Sequence, residues 1–180
     1  MQLTITPLEG LVILKPAIYY DNRGYFFESY HKNTFQDLGI DAVFVQENQS
    51  CSSKGVIRGL HFQNPPHAQA KLVRVVKGSV MDVAVDLRKN SSTYGQHFSV
   101  ELSDQNHLLF YLPIGFAHGF IALEEETIFN YLCTDFYHKE SEGAIRFDDP
   151  ILNINWNNPT PLVNEKDLQG VSFLNFKSMF

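Results

Sequence analysis

Long apolar runs are missing from this chain of 180 residues. A transmembrane helix needs about 20 consecutive, mostly apolar residues, and no stretch of the sequence approaches that length. Residues 1–9 also lack the basic start and the apolar run of a signal peptide. The sequence therefore predicts a protein of the cytoplasm that does not cross a membrane.

Cysteine and clustered positive charge are also scarce. Only Cys51 and Cys133 are present, without the spacing of a zinc site or a disulfide framework, so we expect two packed thiols in a reducing compartment. The formal net charge is −6, and no run of Lys or Arg occurs. This charge argues against a nucleic-acid-binding surface, although a local basic pocket for a phosphorylated small molecule remains compatible with it.

Short segments that are apolar or alternating make up most of the chain, separated by Gly, Pro, Asn, Asp or Ser. Ten strands are predicted, at residues 12–19, 24–30, 42–52, 56–63, 71–76, 79–87, 96–102, 107–112, 117–123 and 127–133. One short helix is predicted at residues 32–38, and no linker or repeat divides residues 1–180. The pattern predicts a single all-β domain, built as an antiparallel sandwich or barrel.

Several residues with acid–base or charged side chains occur in the predicted strands. His61 and Lys71 belong to successive strands, His118 follows a Pro-Ile-Gly turn, and Tyr131 and Tyr137 are six residues apart. A base, a fixed cation and a phenolic acid in one β-rich domain suit proton abstraction next to a carbonyl. Taken singly, each has a structural alternative, such as a core histidine, a solvated lysine or a core tyrosine.

The spacing of Arg58 and His61 sets a geometric condition. Side chains three residues apart in a regular strand point to opposite faces of the sheet. Both can face one cavity only if the strand bulges or ends near Gly59.

A metal site of the cupin type is the main alternative use of the histidines. Such sites have a His-x-His pair, an acidic ligand and a third histidine after Pro-x-Gly. Here His118 fits the last position, but Gln63 replaces the second histidine and Lys71 occupies the place of the acid. A fixed cation opposes the binding of a metal cation, so we predict a cupin-like barrel without a metal.

Six ordered sequence blocks give the chain a family resemblance. The blocks are Asp21-x-Arg23-Gly24-x-Phe26-x-Glu28, Gln46-x-Asn48-x-Ser50, Arg58-Gly59-Leu60-His61-Phe62-Gln63, Lys71-Leu72-Val73-Arg74-Val75, Gly115-Phe116-Ala117-His118-Gly119-Phe120 and Glu165-Lys166-Asp167. With these blocks the chain closely resembles the dTDP-4-dehydrorhamnose 3,5-epimerase family, from about residue 10 to residue 167. The departures are small, with Leu132 and Phe136 at positions where many relatives carry a polar residue and a tyrosine.

The resemblance implies four catalytic roles. His61 would be the general base, and Asp167 would pair with it and orient its ring. Lys71 would face the sugar C4 oxygen, where negative charge grows as an enolate forms. Tyr131 would deliver a proton from the opposite face.

The resemblance also implies a substrate-binding set, a fold and an assembly. Tyr137 would stack on the thymine, and eight further residues would line the ligand site: Arg23, Glu28, Gln46, Asn48, Arg58, His118, Glu142 and Lys166. Without that context, Arg23 and Glu28 read as surface charges, and residues 165–167 as a solvated loop. The implied fold is a cupin-like β jelly roll, and the implied assembly is a homodimer whose N-terminal residues complete the neighbouring site, with no metal or organic cofactor.

Three other functions stay open at this point. One is epimerisation at C3 only, or of another nucleotide 4-keto sugar, with the same residues. The others are a metal-dependent cupin, which Lys71 and Gln63 disfavour, and a non-catalytic nucleotide-sugar-binding protein, which the presence of His61 and Tyr131 disfavours.

Overall fold

Thirteen β-strands and two short α-helices form the computed structural model, which describes residues 1–180. The strands are β1 Gln2–Ile5, β2 Val12–Lys15, β3 Ile18–Asp21, β4 Gly24–Phe27, β5 Gln46–Ser52, β6 Ile57–Gln63, β7 Lys71–Lys77, β8 Ser79–Asp86, β9 His97–Ser103, β10 Leu109–Leu112, β11 Phe116–Ala122, β12 Thr127–Cys133 and β13 Glu142–Ala144. The helices are α1 Lys32–Asp37 and α2 Glu165–Leu168, and 3₁₀ turns occupy Lys139–Ser141 and Phe173–Asn175. None of these helices has the length and apolar character of a membrane span.

Two antiparallel sheets face each other across a shared core. One sheet has the strand order β1-β2-β10-β7-β12-β5, and the other has the order β13-β6-β11-β8-β9. The core between them takes Val73, Phe110 and Phe129 from the first sheet and Val80 and Phe120 from the second. This arrangement confirms the predicted all-β, cupin-like jelly roll.

The outer faces of both sheets are also covered. Phe147 and Trp156 pack behind the five-stranded sheet. Phe35 of α1 packs with Leu14 and Leu72 behind the six-stranded sheet. Strands that are covered on both faces read as continuous apolar runs, and all seven residues of the central strand β11 are buried.

Every predicted strand segment overlaps an observed strand, and β12 has the predicted bounds. The predicted strand at 12–19 is divided into β2 and β3, because Pro16 has no amide hydrogen to donate to a ladder. The very short strands β1 and β13 were missed. The expectation that both thiols are packed is wrong for Cys51, which is exposed, and holds for Cys133, which is buried.

The hairpin of β3 and β4 forms a separate two-stranded sheet. Tyr25 and Phe27 stack on each other and contact His107, which anchors the hairpin to the turn before β10. Tyr20 and Phe26 are 71% and 69% exposed, respectively, so the hairpin presents aromatic side chains to solvent.

Candidate active site

A bulge in β6 meets the condition that the sequence sets for Arg58 and His61. His61 lies opposite His118 on β11, whereas Arg58 lies opposite Phe120, so β6 holds one more residue than β11 between these pairs. The extra residue is accommodated near Gly59, which has φ +132° and where a Cβ atom would lie 2.5 Å from a main-chain atom of β11. As a result, Arg58 and His61 line the same cavity.

His61 is held by a buried aspartate from α2. The Nε2 atom of His61 lies 2.7 Å from Oδ1 of Asp167, whose other oxygen accepts a 3.0 Å hydrogen bond from the Gly59 amide. Asn164 caps α2 by accepting the amide hydrogen of Asp167 at 2.7 Å. Burial by itself raises the pKa of Asp167, but hydrogen bonds from His61 and Gly59 outweigh it and hold that pKa below its usual range. Asp167 is therefore a carboxylate that orients the imidazole.

Lys71 and Tyr131 approach the cavity from the opposite sheet. The Nζ atom of Lys71 lies 5.8 Å from the centroid of the Tyr131 ring. Burial lowers the pKa of Lys71, against the opposing effect of Cys133 and Asp82, and burial raises the pKa of Tyr131. The Tyr131 phenol thus holds its proton more tightly than a solvated tyrosine does, and the Lys71 ammonium holds its proton less tightly than a solvated lysine does.

A second histidine–aspartate pair lies beside the first. The Nε2 atom of His118 is 2.9 Å from both carboxylate oxygens of Asp82. Asp82 is fully buried, and His118 is 8% exposed. Burial raises the pKa of Asp82, although His118 and Lys71 oppose the shift.

The cleft has two lobes that meet at the catalytic candidates. The first lobe, of about 130 Å³, is lined by Gln46, Asn48, His61, Phe62, Gln63, Gln69, Lys71, Tyr131, Cys133, Tyr137 and Glu142. The second, of about 170 Å³, is lined by Gln49, Ser50, Arg58, His61, Lys71, His118, Phe120, Phe129, Tyr131 and Asn164. Only His61, Lys71 and Tyr131 line both lobes.

A chain of polar contacts forms the rim of the first lobe. The hydroxyl of Tyr137 donates to Glu142 at 2.9 Å, and Lys166 donates to the other oxygen of that carboxylate at 2.6 Å. Burial raises the pKa of Glu142, but the hydrogen bonds from Lys166 and Tyr137 prevail and lower it. On the facing strand, Gln46 donates to Asn48 at 3.0 Å. The rim therefore combines an exposed aromatic ring with fixed polar groups, which suits a nucleotide base and its sugar.

A family model with the description dTDP-4-dehydrorhamnose 3,5-epimerase matches residues 5–175. The chain belongs to this family. A relative named dTDP-4-dehydrorhamnose 3,5-epimerase, from Methanothermobacter thermautotrophicus, is 51% identical over 89% of this chain and 85% of its own length. The family resemblance inferred from the six sequence blocks is thus confirmed.

Two crystal structures of 3,5-epimerases have the same fold. The dTDP-4-dehydrorhamnose 3,5-epimerase of Elizabethkingia anophelis is 49% identical, with a TM-score of 0.93 over 97% of each chain. The dTDP-6-deoxy-D-glucose-3,5-epimerase of Legionella pneumophila is 43% identical, with a TM-score of 0.94 over 98% of this chain and 94% of that one. The Legionella structure is a complex with dTDP-4-keto-L-rhamnose.

Two residues of the set implied by the epimerase family lie away from this cleft. Arg23 is 86% exposed on the hairpin and pairs with Asp21 at 2.6 Å, and Glu28 is also exposed. Neither residue lines either lobe. All the other predicted substrate-binding residues line a lobe except Lys166, which is connected to the first lobe only through its hydrogen bond to Glu142.

Residues 165–167 differ from what the local sequence predicts. Read alone, this charged segment is a solvated loop, but the structure makes it the helix α2 and buries Asp167 completely. The reason is the pairing of Asp167 with His61, which lies 106 residues earlier in the chain.

Sequence reasoning assigned no role to two residues near the catalytic candidates. Asp82 is an acid in the middle of the mostly apolar strand β8, which ends with a second acid, Asp86, and an acid in the middle of such a strand was the signal for it. Ser50 continues the alternation of Gln46 and Asn48 along β5 into the second lobe. Its Oγ is the only buried side-chain oxygen or nitrogen without a hydrogen-bond partner.

Proposed function

We propose that this chain is an isomerase that inverts C3 and C5 of dTDP-4-dehydro-6-deoxy-D-glucose, giving dTDP-4-dehydro-L-rhamnose for dTDP-L-rhamnose biosynthesis. One observation carries the proposal: a base, a cation and a phenol are the three side chains common to both lobes of the cleft. Membership of the epimerase family and the ligand of the Legionella relative support the substrate class.

The reaction follows from the positions of these groups. A 4-keto group acidifies the protons on C3 and C5, and His61, oriented by Asp167, removes one of them. Lys71 stabilises the negative charge that develops on the C4 oxygen. Tyr131 belongs to the sheet opposite His61, so a sugar between the sheets receives the new proton on its other face. Return of a proton to that face inverts the carbon.

Substrate binding uses the residues around this centre. Tyr137 stacks on the thymine at the rim, and Arg58 attracts the diphosphate. Gln46, Asn48 and Glu142 bind the nucleotide sugar in the first lobe, with Lys166 fixing Glu142. His118 forms a wall of the second lobe.

The proposed chemistry needs no metal or organic cofactor. Lys71 supplies, as a fixed charge, the stabilisation of an oxyanion that a metal ion gives in many other enzymes. The proposed compartment is the cytoplasm, where the free thiols Cys51 and Cys133 stay reduced.

Incubation with the proposed substrate in deuterated water, followed by NMR, tests the function. Deuterium should enter at both C3 and C5, and the product should have both centres inverted. Labelling and inversion at C3 alone would support a C3 epimerase instead. No exchange at either carbon, with substrate shown to bind, would leave a binding protein.

We also propose a homodimer in which the β3–β4 hairpin of each protomer completes the neighbouring site. The support is the position of Arg23 and Glu28 outside their own cleft, together with the exposed aromatic side chains of Tyr20 and Phe26. An exposed apolar hairpin of this kind is typical of an interface.

A complementation experiment distinguishes a shared site from a separate one. Arg23→Ala and His61→Asn are each expected to be nearly inactive alone. Mixed dimers of the two variants should regain activity, because one site then has both His61 and the partner's intact hairpin. If Arg23 acts in its own protomer, or if the protein is monomeric by light scattering, mixing restores nothing.

A further inference from the structure

Gln63 ends β6 two residues after His61, where cupin metal sites have their second histidine. Its side chain is buried, with a relative exposure of 5% for the residue. The amide nitrogen donates to the carbonyl oxygen of His67 at 2.7 Å and to that of Phe136 at 3.2 Å. The amide oxygen accepts the backbone N–H of His138 at 2.6 Å. All of these bonds fasten main chain, and none goes to another side chain.

Two of the three bonds flank Tyr137 directly. Gln63 holds the carbonyl before this residue and the amide hydrogen after it, while Gln46 accepts the amide hydrogen of Tyr137 itself at 2.8 Å. Residues 136–138 belong to no helix or strand, and their only main-chain hydrogen bond is the one that the His138 carbonyl accepts from the Ser141 amide at 3.0 Å. Side-chain amides therefore set the backbone conformation from which the Tyr137 ring projects.

The third bond ties the same amide to the turn after β6. His67 in that turn stacks on His138 with ring centroids 3.9 Å apart, and its Nδ1 lies 3.2 Å from Asp135. Gln63 thus connects the turn that contains His67 to residues 136–138 through hydrogen bonds, at the wall of the first lobe.

We propose that Gln63 is a positioning residue for nucleotide binding, which acts by holding Tyr137 in the orientation that stacks on the base. The inference rests on the proposed function, since it takes thymidine diphosphate as the ligand of Tyr137. In this proposal, the Gln63 amide, which occupies the position of a metal-binding histidine in cupins, contributes to nucleotide recognition.

A double-mutant cycle with dTDP as the probe tests the proposal. Gln63→Met keeps the length of the side chain and removes all three bonds without adding charge. By calorimetry, Gln63→Met should weaken dTDP binding about 5- to 20-fold, within the range of losing one base–aromatic stack. In a Tyr137→Ala background the same change should cost less than about 2-fold, because the ring that Gln63 positions is gone. Turnover at saturating substrate should stay within about 3-fold of the parent, since the change leaves His61, Lys71 and Tyr131 in place.

Asp149→Asn is the matched control. Asp149 is buried and accepts three main-chain N–H groups, from Ile151, Leu152 and Phe173, away from both lobes. This variant should lower the melting temperature without changing dTDP affinity. If Gln63→Met does not fold, Gln63→Glu retains the acceptor for His138, and its added charge acts equally in both backgrounds.

The outcomes separate this inference from the proposed function. Unchanged dTDP affinity in the Gln63 variant, or an equal loss with and without the Tyr137 ring, overturns the role of Gln63 alone. If Tyr137→Ala itself leaves dTDP affinity unchanged, the stacking role within the proposed function is wrong and the inference falls with it.

Discussion

Two histidine–aspartate pairs lie side by side in the cleft, and they differ in exposure and in electrostatics. The His61 side chain is 32% exposed and that of His118 is 8% exposed, while both aspartate side chains are fully buried. The pKa of Asp167 lies below its usual range, and the pKa of Asp82 lies above it.

Burial raises the pKa of both carboxylates; it prevails at Asp82, whereas the hydrogen-bond donors outweigh it at Asp167. Asp167 accepts separate hydrogen bonds from His61 and from the Gly59 amide, whereas both oxygens of Asp82 share the one Nε2 atom of His118. Two donors stabilise a buried carboxylate better than one shared donor. The same two residue types therefore give a partly exposed imidazole beside a carboxylate in one place and a buried pair in the other.

Removing each histidine in turn should give the largest contrast. His61→Asn should reduce deuterium exchange at C3 by roughly 100- to 10,000-fold, the contribution of a general base. His118→Asn, with the same change of side chain, should cost at least about 10-fold less, because His118 takes no proton from the sugar. Exchange near the wild-type rate in His61→Asn would remove this residue from the mechanism.

Lys71 lines both lobes of the cleft and should contribute the next largest effect. Lys71→Met keeps the chain length and removes the charge, so the barrier should rise by about 2–4 kcal/mol, as for loss of one oxyanion donor. Steady-state rates at saturating substrate measure this. If chelators abolish wild-type activity and added iron or manganese restores it, a metal and not Lys71 stabilises the oxyanion.

Tyr131 defines the face opposite His61, and its hydroxyl should separate exchange from inversion. In Tyr131→Phe, His61 and Lys71 still form the enolate, so one carbon should exchange deuterium about 10-fold or more faster than it inverts. Tyr137→Phe keeps its ring and should mostly spare turnover. NMR of C3 and C5 in deuterated water follows both processes, and inversion of both carbons at the wild-type rate in Tyr131→Phe would mean another proton donor.

The two aspartates should have opposite effects on the pH dependence of stability. The lowered pKa of Asp167 gives a contribution that is present above the unfolded value of about 3.9 and is lost as pH falls through the folded pKa. The raised pKa of Asp82 makes its ionisation destabilising as pH rises from about 3.9 through the folded pKa. From low to neutral pH, the wild type should gain stability relative to Asp167→Asn and lose it relative to Asp82→Asn.

Thermal melts of the wild type, Asp167→Asn and Asp82→Asn between about pH 3 and pH 8 measure these small differences in stability. If the stability difference between wild type and variant changed with pH in the same direction for both variants, the opposite pKa shifts of Asp167 and Asp82 would be contradicted.

Local patterns in the sequence were enough to predict the class of the fold. Alternation and β-branched content predicted ten segments that all overlap observed strands, and the residues of β12 were predicted without error. The misses have local causes, since β1 and β13 have only 4 and 3 residues and Pro16 interrupts a longer apolar run. Such short strands depend on pairing partners that are distant in sequence.

The site could be predicted in part, because some of its contacts are local and others are long-range. The spacing of Arg58 and His61 required a bulge or a strand end near Gly59, but it did not decide between the two. Neither the pairing of His61 with Asp167 nor that of His118 with Asp82 is visible in any local pattern, and the resemblance supplied only the first. The unpartnered hydroxyl of Ser50 becomes visible only when the packing around it is known.

The close approach of the paired strands β6 and β11 limits which residues can occupy two of their positions. A Cβ at Gly59 would lie 2.5 Å from the Cα of Gly119, and a Cβ at Gly119 would lie 2.8 Å from the carbonyl oxygen of Arg58. A side chain at either position therefore forces the strands apart and moves His61 out of register with its partners. Substitution is thus sterically blocked at these two positions beside His61, whereas an exposed rim residue such as Tyr137 has no such limit.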